Sequence, residues 1–97
     1  MQTEKTAQEK EVLKEIGKRV RLFREDKGLS LSEFGSIVNR DKSNLSKLEN
    51  GKFSIDANFL YLLLKAHPRL RLEWLILGKG EMEYPTTDVK NNNSDTK

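Results

Sequence analysis

Residues Ser30–Asn50, SLSEFGSIVNRDKSNLSKLEN, decide the fold of this 97-residue chain. They spell two short amphipathic helices around an abrupt polar turn. Ser30 carries the side-chain oxygen of a helix cap, and Glu33 three residues on completes a capping box. Phe34, Ile37 and Val38 then recur on one apolar face. Asp41 caps the second helix, in which Leu45 and Leu48 point one way and Lys42, Ser43, Asn44 and Lys47 lie on or near the other. Between them, Asn39 tolerates the left-handed conformation that a sharp turn needs. A short, exposed, donor-rich helical face suits contact with base edges and phosphates of a DNA groove.

Outward from this segment the chain divides into helices joined by brief connections, with no run of alternating strand residues, so the expected class is all-α. Leu13, Ile16, Val20 and Phe23 recur at spacings of three or four and predict a first helix over Glu9–Asp26, with Gly28 just past its end. The second amphipathic helix is expected over Lys42–Asn50, where Gly51 stops it in the left-handed conformation. Ser54 is the expected cap of a fourth helix, Asp56 suits its positive end, and Pro68 blocks its extension past His67. A fifth helix covers Leu72–Leu77 and ends at Gly78. The ends are polar: residues 1–8 read as a flexible extension, 9–85 as one domain, and 86–97 as a disordered tail with too little apolar surface to offset the entropy of ordering.

Composition narrows the function classes. A chain of this size supports one small core and not a monomeric enzyme with a large enclosed pocket. Eighteen Lys and Arg against 15 Asp and Glu give a net charge of +3, which permits a polyanionic partner without demanding one. Placement says more. Six basic residues stand against three acids between Lys14 and Lys27, and four against two between Arg40 and Lys52. With no cysteine, disulfides and thiolate zinc sites are excluded, and nothing in the chain calls for a metal or cofactor. Neither a signal-peptide core nor a run near the roughly 20 apolar residues of a membrane span is present, so a cytoplasmic, non-membrane protein is expected. His67, the sole histidine, has no nucleophile or ligand set to work with, and a favourable interaction with its helix terminus is role enough. Gly78–Glu81, GKGE, lacks the longer pattern of a phosphate loop.

Four stretches in order, IGKRVRLFRE (16–25), GLSLSEFG (28–35), NLSKLENGK (44–52) and EWLILGKGEM (73–82), make the chain from Ile16 to Tyr84 resemble the helix-turn-helix family of lambda repressor, Cro and the xenobiotic-response-element regulators. The resemblance implies a compact five-helix lambda-repressor-like domain that binds double-stranded operator DNA as a homodimer and regulates transcription without catalysis. It assigns Ser43, Asn44 and Lys47 to the face of the recognition helix, with Lys42 beside them. The amide of Asn44 pairs with adenine, Lys47 donates to guanine or phosphate, and Ser43 meets several acceptors. Ser30, Ser32, Arg40 and Lys52 are the phosphate candidates, although Arg40 reaches either a phosphate or solvent. Many relatives carry glutamine where this chain has Leu31, which cannot donate that bond; Ser32 and the free amides at the start of the helix are the substitutes. Arg19 and Arg24 fall where relatives place arginines that tie the bundle or meet phosphates, with the structural role favoured for Arg24, and Glu49 is expected to pair within the bundle.

Helix 4 carries a competing signal. Phe59 to Leu64 surround the helix, more apolar surface than one small core is expected to cover, and Leu70 to Leu77 add a second cluster. A homodimer interface through Tyr61, Leu70, Trp74 and Leu77 covers this surplus and places two recognition helices about 34 Å apart. The alternative is a helix-turn-helix protein-interaction module, such as an antitoxin-like or regulatory partner subunit.

Overall fold

The computed structural model describes residues 6–85, and the expectations for 86–97 and for residues 1–5 of the N-terminal extension lie outside them. Five helices follow in order: α1 (Ala7–Asp26), α2 (Leu31–Val38), α3 (Lys42–Glu49), α4 (Ala57–Ala66) and α5 (Leu72–Leu77). The all-α, five-helix domain expected from the sequence is the fold observed. α1 packs on α3 and α5, while α2 packs on α3 and α4.

Each helix starts for a local reason. The Ser30 hydroxyl accepts from the Glu33 N–H at 3.0 Å, and the Glu33 carboxylate accepts from the Ser30 N–H at 2.8 Å. Asp41 caps α3 through the Asn44 N–H at 2.7 Å. α1 begins at Ala7, earlier than the apolar spacing predicts, because Thr6 and Glu9 form a second capping box. Residues 7 and 8, expected in the extension, are therefore helical. The cap of α4 is Asp56, whose carboxylate accepts from the Phe59 N–H at 2.9 Å, and not Ser54. α3 ends one residue early, with Asn50 as its cap.

One core joins all five helices: Ile16, Val20 and Phe23 from α1, Phe34 and Val38 from α2, Leu45 and Leu48 from α3, Phe59 and Leu63 from α4, and Leu75 from α5. Phe34 and Phe59 meet edge to face, with centroids 6.4 Å apart. α4 leaves less surplus than expected. Phe59 and Leu63 are fully buried and Leu60 and Leu64 pack against the core, so the exposed member of its apolar run is Tyr61, at 60%.

Leu70 is also core, 2% exposed, which removes it from the interface proposed for it on sequence grounds. The cause is a return of the chain. Leu70 and Glu83 form an antiparallel bridge, in which the Arg71 N–H donates to the Met82 carbonyl at 2.9 Å and the Tyr84 N–H to that of Arg69 at 2.8 Å. Lys27 fastens the returning strand from α1 through Glu83 at 2.7 Å. Beneath it, His67 sets its ring edge to face with Phe23 at 5.1 Å, and its Nε2 is buried without a hydrogen-bond partner among the described residues. Burial, with nearby Lys27, holds the His67 pKa below the ordinary imidazole value. The interaction with the helix terminus expected from the sequence is present through the backbone, where the His67 N–H donates to the Leu63 carbonyl at 2.8 Å, and the ring adds its contact with Phe23.

Candidate DNA-binding surface

The geometry of α2 and α3 follows from two close approaches. A Cβ on Gly17 would stand 2.5 Å from the Leu48 carbonyl oxygen, and one on Gly35 would strike the Arg40 carbonyl. Missing side chains therefore let α1 lie directly on α3, and let the turn fold back over α2. Asn39 supplies that turn's left-handed residue, at φ 58° and ψ 47°. Eight residues are too few to hold a helix in water unaided, so α3 depends on these contacts.

The inner face of α3 is fixed by Leu45, Leu48 and Glu49, all buried. Arg24 grips Glu49 with two parallel bonds, Nε donating to Oε2 at 2.7 Å and Nη2 to Oε1 at 3.0 Å, while its Nη1 donates to the Leu29 carbonyl at 2.9 Å. The expected pairing of Glu49 within the bundle and the structural role of Arg24 are both observed. The hydrogen bond to Glu49 holds the guanidinium above its ordinary pKa. Glu49 thus contributes no uncompensated negative charge to the helix. Arg19 serves a parallel purpose at α5, donating to the Leu75 carbonyl at 2.8 Å and the Ile76 carbonyl at 3.0 Å.

On the outer face Lys42, Ser43 and Lys47 are exposed, as is Lys52 just beyond. The end of α3 is closed by a Schellman motif, in which the Lys52 N–H donates to the Lys47 carbonyl and the Gly51 N–H to that of Leu48. Lys47 extends its ammonium over the Phe53 ring, 5.8 Å from the centroid. Asn50 is exposed at the spacing that continues Ser43 and Lys47, a position that sequence reasoning missed although its i, i+4, i+7 register was available.

The other sequence-assigned residues divide. Asn44 is half-buried, and its side-chain oxygen accepts from Arg40 Nη1 at 2.8 Å, so its amide is engaged at the helix start. Arg40 reaches neither open solvent nor an outward position. It stacks over Phe59 at 5.5 Å and also donates to Asp56 at 3.2 Å, clamping the turn to α4. Its chemistry here is that of a tether, which the sequence could not show because Asp56 and Phe59 are distant along the chain. Ser30 is exposed but its oxygen is engaged in the cap, and Ser32 is exposed beside it in a notch lined by Ser36, Asn39 and Lys42. Of the dimer candidates besides Leu70, Tyr61 and Leu77 are open to solvent at 60% and 61%, and Trp74 is half-buried against the core. Leu77 lies with Ile76 and Val12 along a groove between α5 and the start of α1.

Two capped helices set across a left-handed turn, with the second pinned from beneath and basic outside, define the helix-turn-helix class of domain. A family model described as helix-turn-helix matches residues 20–75, and the chain belongs to that family, in agreement with its likeness to Cro and the xenobiotic-response-element regulators. Membership points to a DNA-binding regulatory function. Comparisons with curated proteins and with solved structures found no match.

Proposed function

We propose that this protein is a sequence-specific, double-stranded DNA-binding transcriptional regulator that acts in the cytoplasm as a homodimer and inserts α3 into the major groove. The observation that carries the reading is the division of α3 itself. Its fold-bearing residues, Leu45, Leu48 and Glu49, are all turned inward, leaving Lys42, Ser43 and Lys47 outside, with no side-chain hydrogen bond to any of the described residues. Lys47 and Ser43 would meet base edges, Asn44 would join them by exchanging its bond to Arg40, and Lys52, Ser32 and the first amides of α2 would meet phosphates. The groove holding Leu77, Ile76 and Val12 supports a symmetric pairing of α5, with Trp74 behind it.

The test is selection from a random duplex pool at near-physiological salt, with the oligomeric state followed by sedimentation. An inverted repeat strongly preferred over scrambled DNA is expected. Weak binding to every duplex, falling steeply with salt, would overturn the reading. The exposed Tyr61 and Leu77 favour a second reading, a protein-interaction module, which that result would promote.

A further inference from the structure

Leu31 opens α2 at the place where its family resemblance leads one to expect a phosphate-binding amide. The structure gives this side chain a different setting. Half-buried and packed against the core, it lines a shallow, open cleft together with Lys42, Ser43, Ser46 and Lys47 of α3. The cleft therefore has a hydrocarbon side supplied by α2 and a polar, cationic side supplied by the outward face of the recognition helix. The Leu31 side chain carries no amide or hydroxyl for an anion, so what it adds to a ligand beyond the backbone amides at the start of α2 is contact with carbon.

Among the groups a major groove presents, one is apolar: the 5-methyl of thymine. We propose that Leu31 is a specificity-determining residue that packs against a thymine methyl while Ser43 or Lys47 engages a neighbouring base edge. This rests on the DNA-binding reading above and adds to it the identity of one read base. Charge argues for this occupant over an apolar side chain of another protein. Lys42 and Lys47, both exposed, flank the cleft, and a phosphate-lined groove complements them where a hydrophobic partner would have to desolvate them.

The experiment uses the full chain and the duplex enriched from the random pool, with each thymine replaced in turn by uracil, which removes the methyl and leaves the pairing edge unchanged. At one position per half-site, uracil is expected to weaken binding about four-fold, the equivalent of one buried methyl group. Leu31→Ala and Leu31→Gln should bind the thymine and uracil duplexes alike, whereas Lys52→Ala, outside the cleft, should keep the ratio. The uracil series on the unaltered protein stands whether or not the Leu31 variants fold. An enriched duplex indifferent to every thymine methyl, or a folded Leu31 variant that still discriminates, would overturn the role of Leu31 alone. Failure to enrich any duplex would overturn the DNA-binding reading and this inference with it.

Discussion

Arg24 and Glu49 show how much of this molecule rests on single side chains. Their carboxylate–guanidinium pair is largely shielded, at 12% and 5% side-chain exposure, so removing one partner strands the other charge away from water. Arg24→Ala is expected to cost about 3 kcal/mol of folding stability, measurable by urea denaturation, while an apolar pair at both positions should cost clearly less. Sequence reading assigns Arg24 a structural role and Glu49 a pairing within the bundle without joining the two, because they stand on different helices. His67 was not legible, because its neighbours Phe23, Lys27 and Glu83 converge from separate parts of the chain. Since the folded protein holds His67 below the ordinary imidazole pKa of ~6.5, the native state binds fewer protons than the unfolded chain as pH drops. Its stabilising contribution is complete above that value and is lost as the pH falls toward the depressed native pKa. The melting temperature should therefore decline between neutral and mildly acidic pH, and His67→Gln should flatten that part of the profile.

At the scale of elements, local chemistry predicted what local chemistry builds. The Ser30–Glu33 box, the Asp41 cap and the left-handed Asn39 were all visible because their partners lie within three residues or one turn. The box formed by Thr6 and Glu9 carries the same signal but lies N-terminal to the first apolar repeat, so apolar spacing alone places the start of α1 too late. Selecting Ser54 over Asp56 reflects a different limit: both are competent caps, and the choice depends on where Phe59 must enter the core. Close approaches between elements leave only the faint trace of a glycine within a helix. Gly17 is such a case, with the backbone of α3 directly against it. Gly17→Ala should separate α1 from α3, costing about 1–3 kcal/mol in thermal or chemical unfolding and weakening DNA binding further than the stability loss explains. The surplus of α4 was overestimated because helical periodicity counts apolar residues without knowing that the surrounding segments shelter Leu60 and Leu64.

For the molecule as a whole, the outward face of α3 was readable from sequence, since Leu45 and Leu48 fix which side must be buried. The destinations of Arg40 and Asn44 were not, because they depend on α4 arriving beside the turn. Segregation of fold and surface gives a direct expectation: Lys42→Ala with Lys47→Ala should leave the melting temperature within about 4 °C of the parent, since exposed substitutions of this kind change stability little. The same double variant should flatten the dependence of log affinity on log salt by about 0.9 for each phosphate it no longer neutralises. Arg40 has a consequence of another kind. Held by Arg40 through Asn44 at one end, closed by the Lys52–Lys47 bond at the other and seated on Leu45 and Leu48, α3 is already ordered before any duplex arrives. Recognition then requires no coil-to-helix transition, and its heat-capacity change should match the apolar area hidden at the interface, without the excess that accompanies folding upon association. Titration calorimetry across several temperatures measures that quantity. Arg40→Ala, by loosening the start of α3, should make the change more negative and the association entropy less favourable.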